Sequence, residues 1–290
     1  MPQELYMNQI RKGLSAHNLK LICITSMFID HIAAVLIMRW IAEGGNWDTA
    51  FMGTGITVYQ LYRIFKSIGR LALPMYCFFL VEGFFHTSNR RKYASRLLVF
   101  ALISEIPFDW AFNTYPKITP TGIINLMPEL GHQNIFFTLF IGFMMMWGMD
   151  EIRKRIDTLN ISTNFIKLLF KGIAYLVILI AASVIATVLR TDYVSICILA
   201  IAAIYVVYLP NGSDSKPVKL RRMIGFALGT LVLCMASSLG HFGFFALIPM
   251  YMYNGQRGRQ NKYFFYAFYP VHLLLLAIVG MLLSYYVWRF

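Results

Sequence analysis

The stretch LKLICITSMFIDHIAAVLIMRWIA, residues 19–42, decides how the chain is read. It is apolar over more than the roughly 20 residues that a bilayer crossing takes. It is also longer than the roughly 7–15-residue apolar region of a cleaved signal, so it reads as a span. Asp30 and His31 stand side by side near its middle. Lipid solvates charge poorly, so ionisable residues within a span face a protein interior or a water-filled cavity and are functional candidates by default. The next two apolar runs repeat the pattern, with Arg70, Glu82, His86, Arg96 and Glu105 inside them or at their ends.

Composition points the same way. Of 290 residues, 58% are hydrophobic, 16% aromatic and only 13% charged, about half the charged share of a soluble domain. Nine runs are candidate spans: 19–42, 67–88, 93–112, 133–150, 168–189, 191–210, 222–240, 241–254 and 263–288, of which 241–254 is short enough to be re-entrant. The expectation is an all-α, polytopic membrane helix bundle, one integral membrane domain over 1–290 with its polar cluster mainly in 19–112. Cys23, Cys77, Cys197 and Cys234 stand singly, with no CxxC, and read as small apolar packing residues. No nucleotide-binding loop, HExxH or dinucleotide fingerprint occurs, and no metal-ligand spacing, so no metal is expected.

The net charge of +13 follows from topology. With the N-terminus inside and the runs alternating, every basic residue except Arg39, Arg63, Lys66, Arg70, Lys117, Arg190 and Arg289 falls on an inner segment. The positive-inside rule therefore predicts N-in and C-out, and the basic excess needs no nucleic-acid partner. Trp40, Tyr59, Tyr62, Trp110, Trp147 and Trp288 mark borders as interfacial anchors do. The segments 43–66 and 113–132, the latter with Pro116, Pro120 and Pro128, are the longest outer loops, a size that often covers a site. Gly225 and Gly229 form a GxxxG that reads as close helix packing.

Helix geometry constrains the polar residues. Neighbours on a helix point about 100° apart, so Asp30 and His31 cannot share a direction, and one of them must meet a neighbouring helix. Glu82 and His86, at i and i+4, stack on one face. Arg70 lies about 18 Å from Glu82 along the helix. Glu105 sits near mid-depth, two residues before Pro107, whose missing N–H kinks a helix, and Asp109 follows one turn on. On the inner side, Arg90-Arg91-Lys92 with Arg96 is explained either by topology alone or as a seat for the phosphates of a cytosolic cofactor. Helix–helix hydrogen bonding is the structural alternative for all the intramembrane polar groups.

The series Leu19-Lys20, Met27, Asp30-His31, Ile68-Gly69-Arg70, Pro74, Glu82-Gly83-Phe84 and His86-Thr87 resembles the TraX family. So do Tyr93, Arg96-Leu97, Ile103-Ser104, Pro107-Phe108, Asn134, Phe137-Thr138-Leu139, Gly142, Lys262-Tyr263, Phe265-Tyr266, Tyr269-Pro270 and His272-Leu273. One departure is that glycines are expected after Asp192-Tyr193, where this chain has Val194 and Cys197.

The resemblance implies a multi-pass acetylase of the bacterial plasma (inner) membrane, related to multi-span acyltransferases. The donor would be cytosolic acetyl-CoA and the acceptor extracytoplasmic, a pilin-like N-terminal amine before all. The chemistry assigns roles within that frame. His31 would be general base or acetyl carrier, beside Asp30. Arg70 would stabilise the oxyanion, and Glu82 or Glu105 would orient the imidazole. Arg90, Arg91, Lys92, Arg96 and His86 would hold the donor. An O-acyltransferase of an envelope glycan, a proton-coupled transporter and an assembly component held by helix glue are the alternatives. Expected partners are acetyl-CoA, a peptide, protein or glycan acceptor and the lipid bilayer, with a homo-oligomer left open.

Overall fold

The computed structural model describes residues 13–113, 131–159, 163–209, 218–259 and 262–288. Most of the 113–132 loop with its three prolines, the segment 210–217, and Arg11, Lys12, Lys117, Lys216 and Arg289 lie outside the described residues. Among the described residues all regular structure is helical, with three isolated bridges and no strand. Helix α1 runs over Ala16–Ala42, its central part, Ile32–Ile37, wound as π-helix. It is followed by α2 (Val58–Gly69), α3 (Ala72–His86), α4 (Arg90–Phe108, continued by π-turns over Asp109–Asn113), α5 (Ile135–Thr158), α6 (Asn164–Val188), α7 (Val194–Tyr208), α8 (Val218–Cys234) and α9 (Lys262–Tyr286).

Among the described residues, five helical stretches are long and apolar enough to cross a membrane: Ala16–Ala42, Val58–His86, Ile135–Thr158, Asn164–Val188 and Tyr263–Tyr286. The other four of the nine expected runs are shorter or more charged. Run 93–112 falls on α4, whose start holds Arg90, Arg91, Lys92 and Arg96. Runs 191–210 and 222–240 become helices of 15 and 17 residues, and 15 residues rise only about 22 Å against a hydrocarbon core of about 30 Å. Run 241–254 folds as 3-10 turns over Gly240–Ala246 and the one-turn helix Leu247–Tyr251.

The segment 43–66 is not simply a loop. Thr57 and Gln60 close a reciprocal capping box, Gln60 N–H to Thr57 Oγ1 at 3.2 Å and Thr57 N–H to Gln60 Oε1 at 3.0 Å, and α2 starts there.

The chain divides into two compact units. The first contains the described residues of Met1–Tyr76, Ile103–Glu129 and Ser237–Phe290. In it α1 packs against α2 and α9. His17 meets Phe265, Phe28 meets Phe268 and Arg39 meets Ser284, so both numbers rise together and α1 and α9 run parallel. Their starts are tied by backbone bonds, Leu14 N–H to Met252 O and Ala16 N–H to Gln256 O, each 2.8 Å.

The second unit, Cys77–Leu102 with the described residues of Leu130–Ala236, is built around α7. Cys197, Ile198, Ile201 and Tyr205 of α7 are wholly buried. Gly225 and Gly229 let α8 lie on α7: a Cβ at Gly229 would press on the Ile204 side chain. The GxxxG thus serves close packing, as expected. Cys77 and Cys197 are free and in contact at 3.6 Å.

At the turn into α7, Asp192 N–H donates to Gln133 O (2.9 Å) and Thr138 Oγ1 donates to Asp192 O (2.6 Å). The chain turns there through left-handed backbone at Tyr193 (φ 58°) and at Val194 (φ 40°), the latter one of the two positions where the resemblance expects glycine.

Candidate functional site

On α1, Ser26 and Asp30 share one face and Met27 and His31 another, as the i, i+4 spacing requires. The first face meets α2. The Ser26 hydroxyl donates to the Ile68 carbonyl at 2.5 Å, and Lys66 Nζ donates to Asp30 Oδ2 at 2.7 Å. Gly69 permits this approach, because a Cβ there would run into the Asp30 side chain. Asp30 therefore anchors α2 while its neighbour His31 points to α9, the divergence that helix geometry demands.

The second face forms a histidine pair. His31 Nδ1 lies 2.6 Å from His272 Nε2, and the ring planes are 6° from parallel with centroids 4.9 Å apart. An N···N contact so much shorter than the centroid spacing puts the rings edge to edge in a common plane, joined by a hydrogen bond. His272 Nδ1–H donates to the Phe268 carbonyl one turn back, at 2.6 Å. That carbonyl can only accept, so His272 Nδ1 carries the proton. With both rings neutral, His272 Nε2 accepts from His31 Nδ1–H and the His31 lone pair lies on Nε2. The relay fixes tautomer and ring plane together.

His272 is 2% exposed, whereas His31 is half-buried, so of the two residues His31 is the more accessible. Phe112 and Tyr269 stand edge-on to the His31 ring, with centroids at 5.4 and 6.1 Å. Phe112 belongs to the π-turns that follow Pro107, and His31 itself opens the π-helical part of α1. π-Turns widen a helix and recur at functional sites.

The remaining sequence-predicted residues divide between the units. Arg70 caps the C-terminus of α2, and Glu105 is half-buried on α4; both belong to the first unit with Asp30 and His31. Glu82 belongs to the second, where it is buried and meets Arg222 of α8 at 3.1 Å. His86, exposed, donates through Nδ1 to the Glu82 carbonyl at 2.7 Å.

Arg90 meets Asp150 of α5 at 2.7 Å and lies over the Phe84 ring at 4.2 Å. Arg96 lies over Tyr93 at 5.5 Å, and Arg91 and Lys92 are exposed. Among the described residues, no group of three His, Cys, Asp or Glu side chains converges as a metal would need.

Sequence reasoning quoted His272 in a motif but gave it no role at the site. The rule that singled out His31, an ionisable residue deep in an apolar run, applies equally to His272 in 263–288. Asp150, the buried carboxylate that gathers Arg90, was also missed.

The sequence model of the family described as "TraX protein" matches residues 15–280. The chain is also similar to the "Probable fimbrial assembly protein FimC, serogroup H1" of Dichelobacter nodosus. The two are 27% identical over 296 residues, covering 93% of this chain and 97% of that protein. No solved structure matches.

Proposed function

The chain belongs to the TraX family, and on that premise we propose that it is a membrane-embedded acetyltransferase. It moves an acetyl group from cytosolic acetyl-CoA to an extracytoplasmic acceptor, a peptide amine of pilin type before a glycan hydroxyl. The observation that carries the reading is the His272–His31 relay, which leaves a lone pair on a half-buried His31 Nε2. The fimbrial assembly name of the Dichelobacter protein supports the acceptor class.

In the reaction, His31 Nε2 takes the proton of the acceptor amine as its nitrogen attacks the thioester carbonyl. The C–S bond breaks, the CoA sulfur leaves with the electron pair, and the proton on His31 passes to it. An α-amine, with a reference pKa of about 7.7–8.0, asks modest work of such a base. His272 is the positioning residue that holds the imidazole, a part that Glu82 or Glu105 was expected to play. Arg70 remains the cation proposed for the oxyanion. Nine crossings with the N-terminus inside are part of the same proposal. The parallel course of α1 and α9 supports an odd number of crossings between them, and the distribution of basic residues supports the inner N-terminus.

The test is free CoA release by purified protein given acetyl-CoA, and transfer of label from acetyl-CoA sealed inside right-side-out vesicles to an acceptor outside. His31→Ala should cut release by about 10²–10⁴-fold at unchanged membrane abundance. A variant that keeps half the activity removes His31 from the mechanism. Proton-coupled solute flux without CoA release overturns the enzyme in favour of a transporter.

A further inference from the structure

The second unit holds a cluster of which the acetyl-transfer reading uses only Arg90, as one of the residues expected to hold the donor. On the last turns of α5, Asp150 is buried and accepts from Arg153 at 2.7 Å and Lys154 at 2.9 Å, with Arg90 of α4 at 2.7 Å on the same carboxylate. Glu151 adds a second carboxylate, 3.6 Å from Arg90 and 3.3 Å from Lys154. Three cations thus share two carboxylates. The side chains remain partly exposed, Arg90 23%, Arg153 26% and Lys154 54%.

Near the cluster some donors have no acceptor. Arg153 Nε, Tyr175 OH on α6 and Tyr205 OH on α7 are all buried with no hydrogen-bond partner among the described residues. Tyr205 is 0% exposed. Both phenols lie within electrostatic range of Asp150 and Arg153. A guanidinium N–H can only donate, and buried polar groups are normally satisfied. What completes such a set is a compact ligand rich in acceptors and negatively charged. A phosphate has three such oxygens and matches the planar fork of arginine.

We propose that Arg90, Arg153 and Lys154, with the Tyr175 and Tyr205 hydroxyls, form a binding site for a phosphate or diphosphate group. Asp150 is the positioning residue that holds the three cations in a fan. The phosphate arrives either on a soluble nucleotide-type ligand or on an anionic lipid headgroup. The site stands whether or not His31 transfers acetyl groups.

The test measures binding rather than turnover, on the full chain in nanodiscs. In neutral phosphatidylcholine, inorganic pyrophosphate and free CoA are titrated by calorimetry. In parallel, thermal unfolding is compared between phosphatidylcholine and phosphatidylglycerol discs. Tyr205→Phe, which keeps the ring, and Arg153→Gln should each weaken pyrophosphate and CoA about tenfold if the source is soluble. If the source is a lipid, they should abolish the stabilisation by phosphatidylglycerol. Either result supports the site and identifies the source. Tyr205→Phe also serves if Arg153→Gln does not fold. Binding and lipid response unchanged in a folded Tyr205→Phe variant, or absent in the parent protein, overturn it.

Discussion

Replacing His272 by Leu removes the acceptor for His31 Nδ1–H while keeping an apolar side chain in a position that is 2% exposed. In the parent, the 2.6 Å bond fixes the proton on Nδ1. Without it, that proton becomes an unsatisfied donor, which costs about 1–3 kcal/mol when buried. The imidazole escapes by moving the proton to Nε2, the atom needed as base. At about 1.4 kcal/mol per tenfold, the productive tautomer falls by about 5- to 150-fold, and CoA release should fall with it. His272→Gln returns a carbonyl acceptor near the same place and should recover most of the rate. A direct readout needs no turnover: in ¹⁵N-histidine-labelled protein, His31 should show protonated Nδ1 in the parent and in His272→Gln, but not in His272→Leu. A folded His272→Leu variant with CoA release within twofold of the parent, or a parent His31 protonated on Nε2, refutes the relay.

The Asp30–Lys66 pair joins two helices with side chains only 18% and 14% exposed. Asp30→Asn or Lys66→Met alone should therefore lower stability towards the bottom of the roughly 3–5 kcal/mol range for a broken buried pair, and the double variant should lose less than either. Thermal unfolding in detergent decides, and additive losses would mean the pair contributes no coupling. Val194 at φ 40° carries left-handed strain of about 1–2 kcal/mol, against an entropic cost of about 0.5–1 for glycine. Val194→Gly should raise the melting temperature by a few degrees, and a lower one would show that the side chain's contacts outweigh the strain.

The first span and the divergence of Asp30 from His31 were legible because both are local: apolar run length and a rotation of about 100° per residue. The GxxxG of α8 was legible for the same reason. Lys66 was not, since its helix is amphipathic, and a search for apolar runs passes over it, although Thr57 and Gln60 spell a capping box. The partner of His31 lies 241 residues away, and that of Glu82 on α8. Such pairings are set by which helix faces meet, which no periodicity within one helix encodes. Run length alone does not fix the number of crossings, because α7 and α8 are apolar at 15 and 17 residues, short of the roughly 20 that a full crossing takes.

The π-winding of α1 governs the phase of everything beyond His31. Arg39 lies eight residues on, and in a regular α-helix it would stand about 80° round from His31. Yet both meet α9, His31 at His272 and Arg39 at Ser284 (2.8 Å) beside Gly280. The turns at Ile32–Ile37 close over one residue more than α-turns, wind more slowly, and bring the two side chains back into line. The stretch between them therefore behaves as a torsion spring clamped at both ends on one neighbour. Tightening it to α-helix while Arg39 holds would swing the imidazole of His31 by nearly a quarter-turn out of the plane of His272.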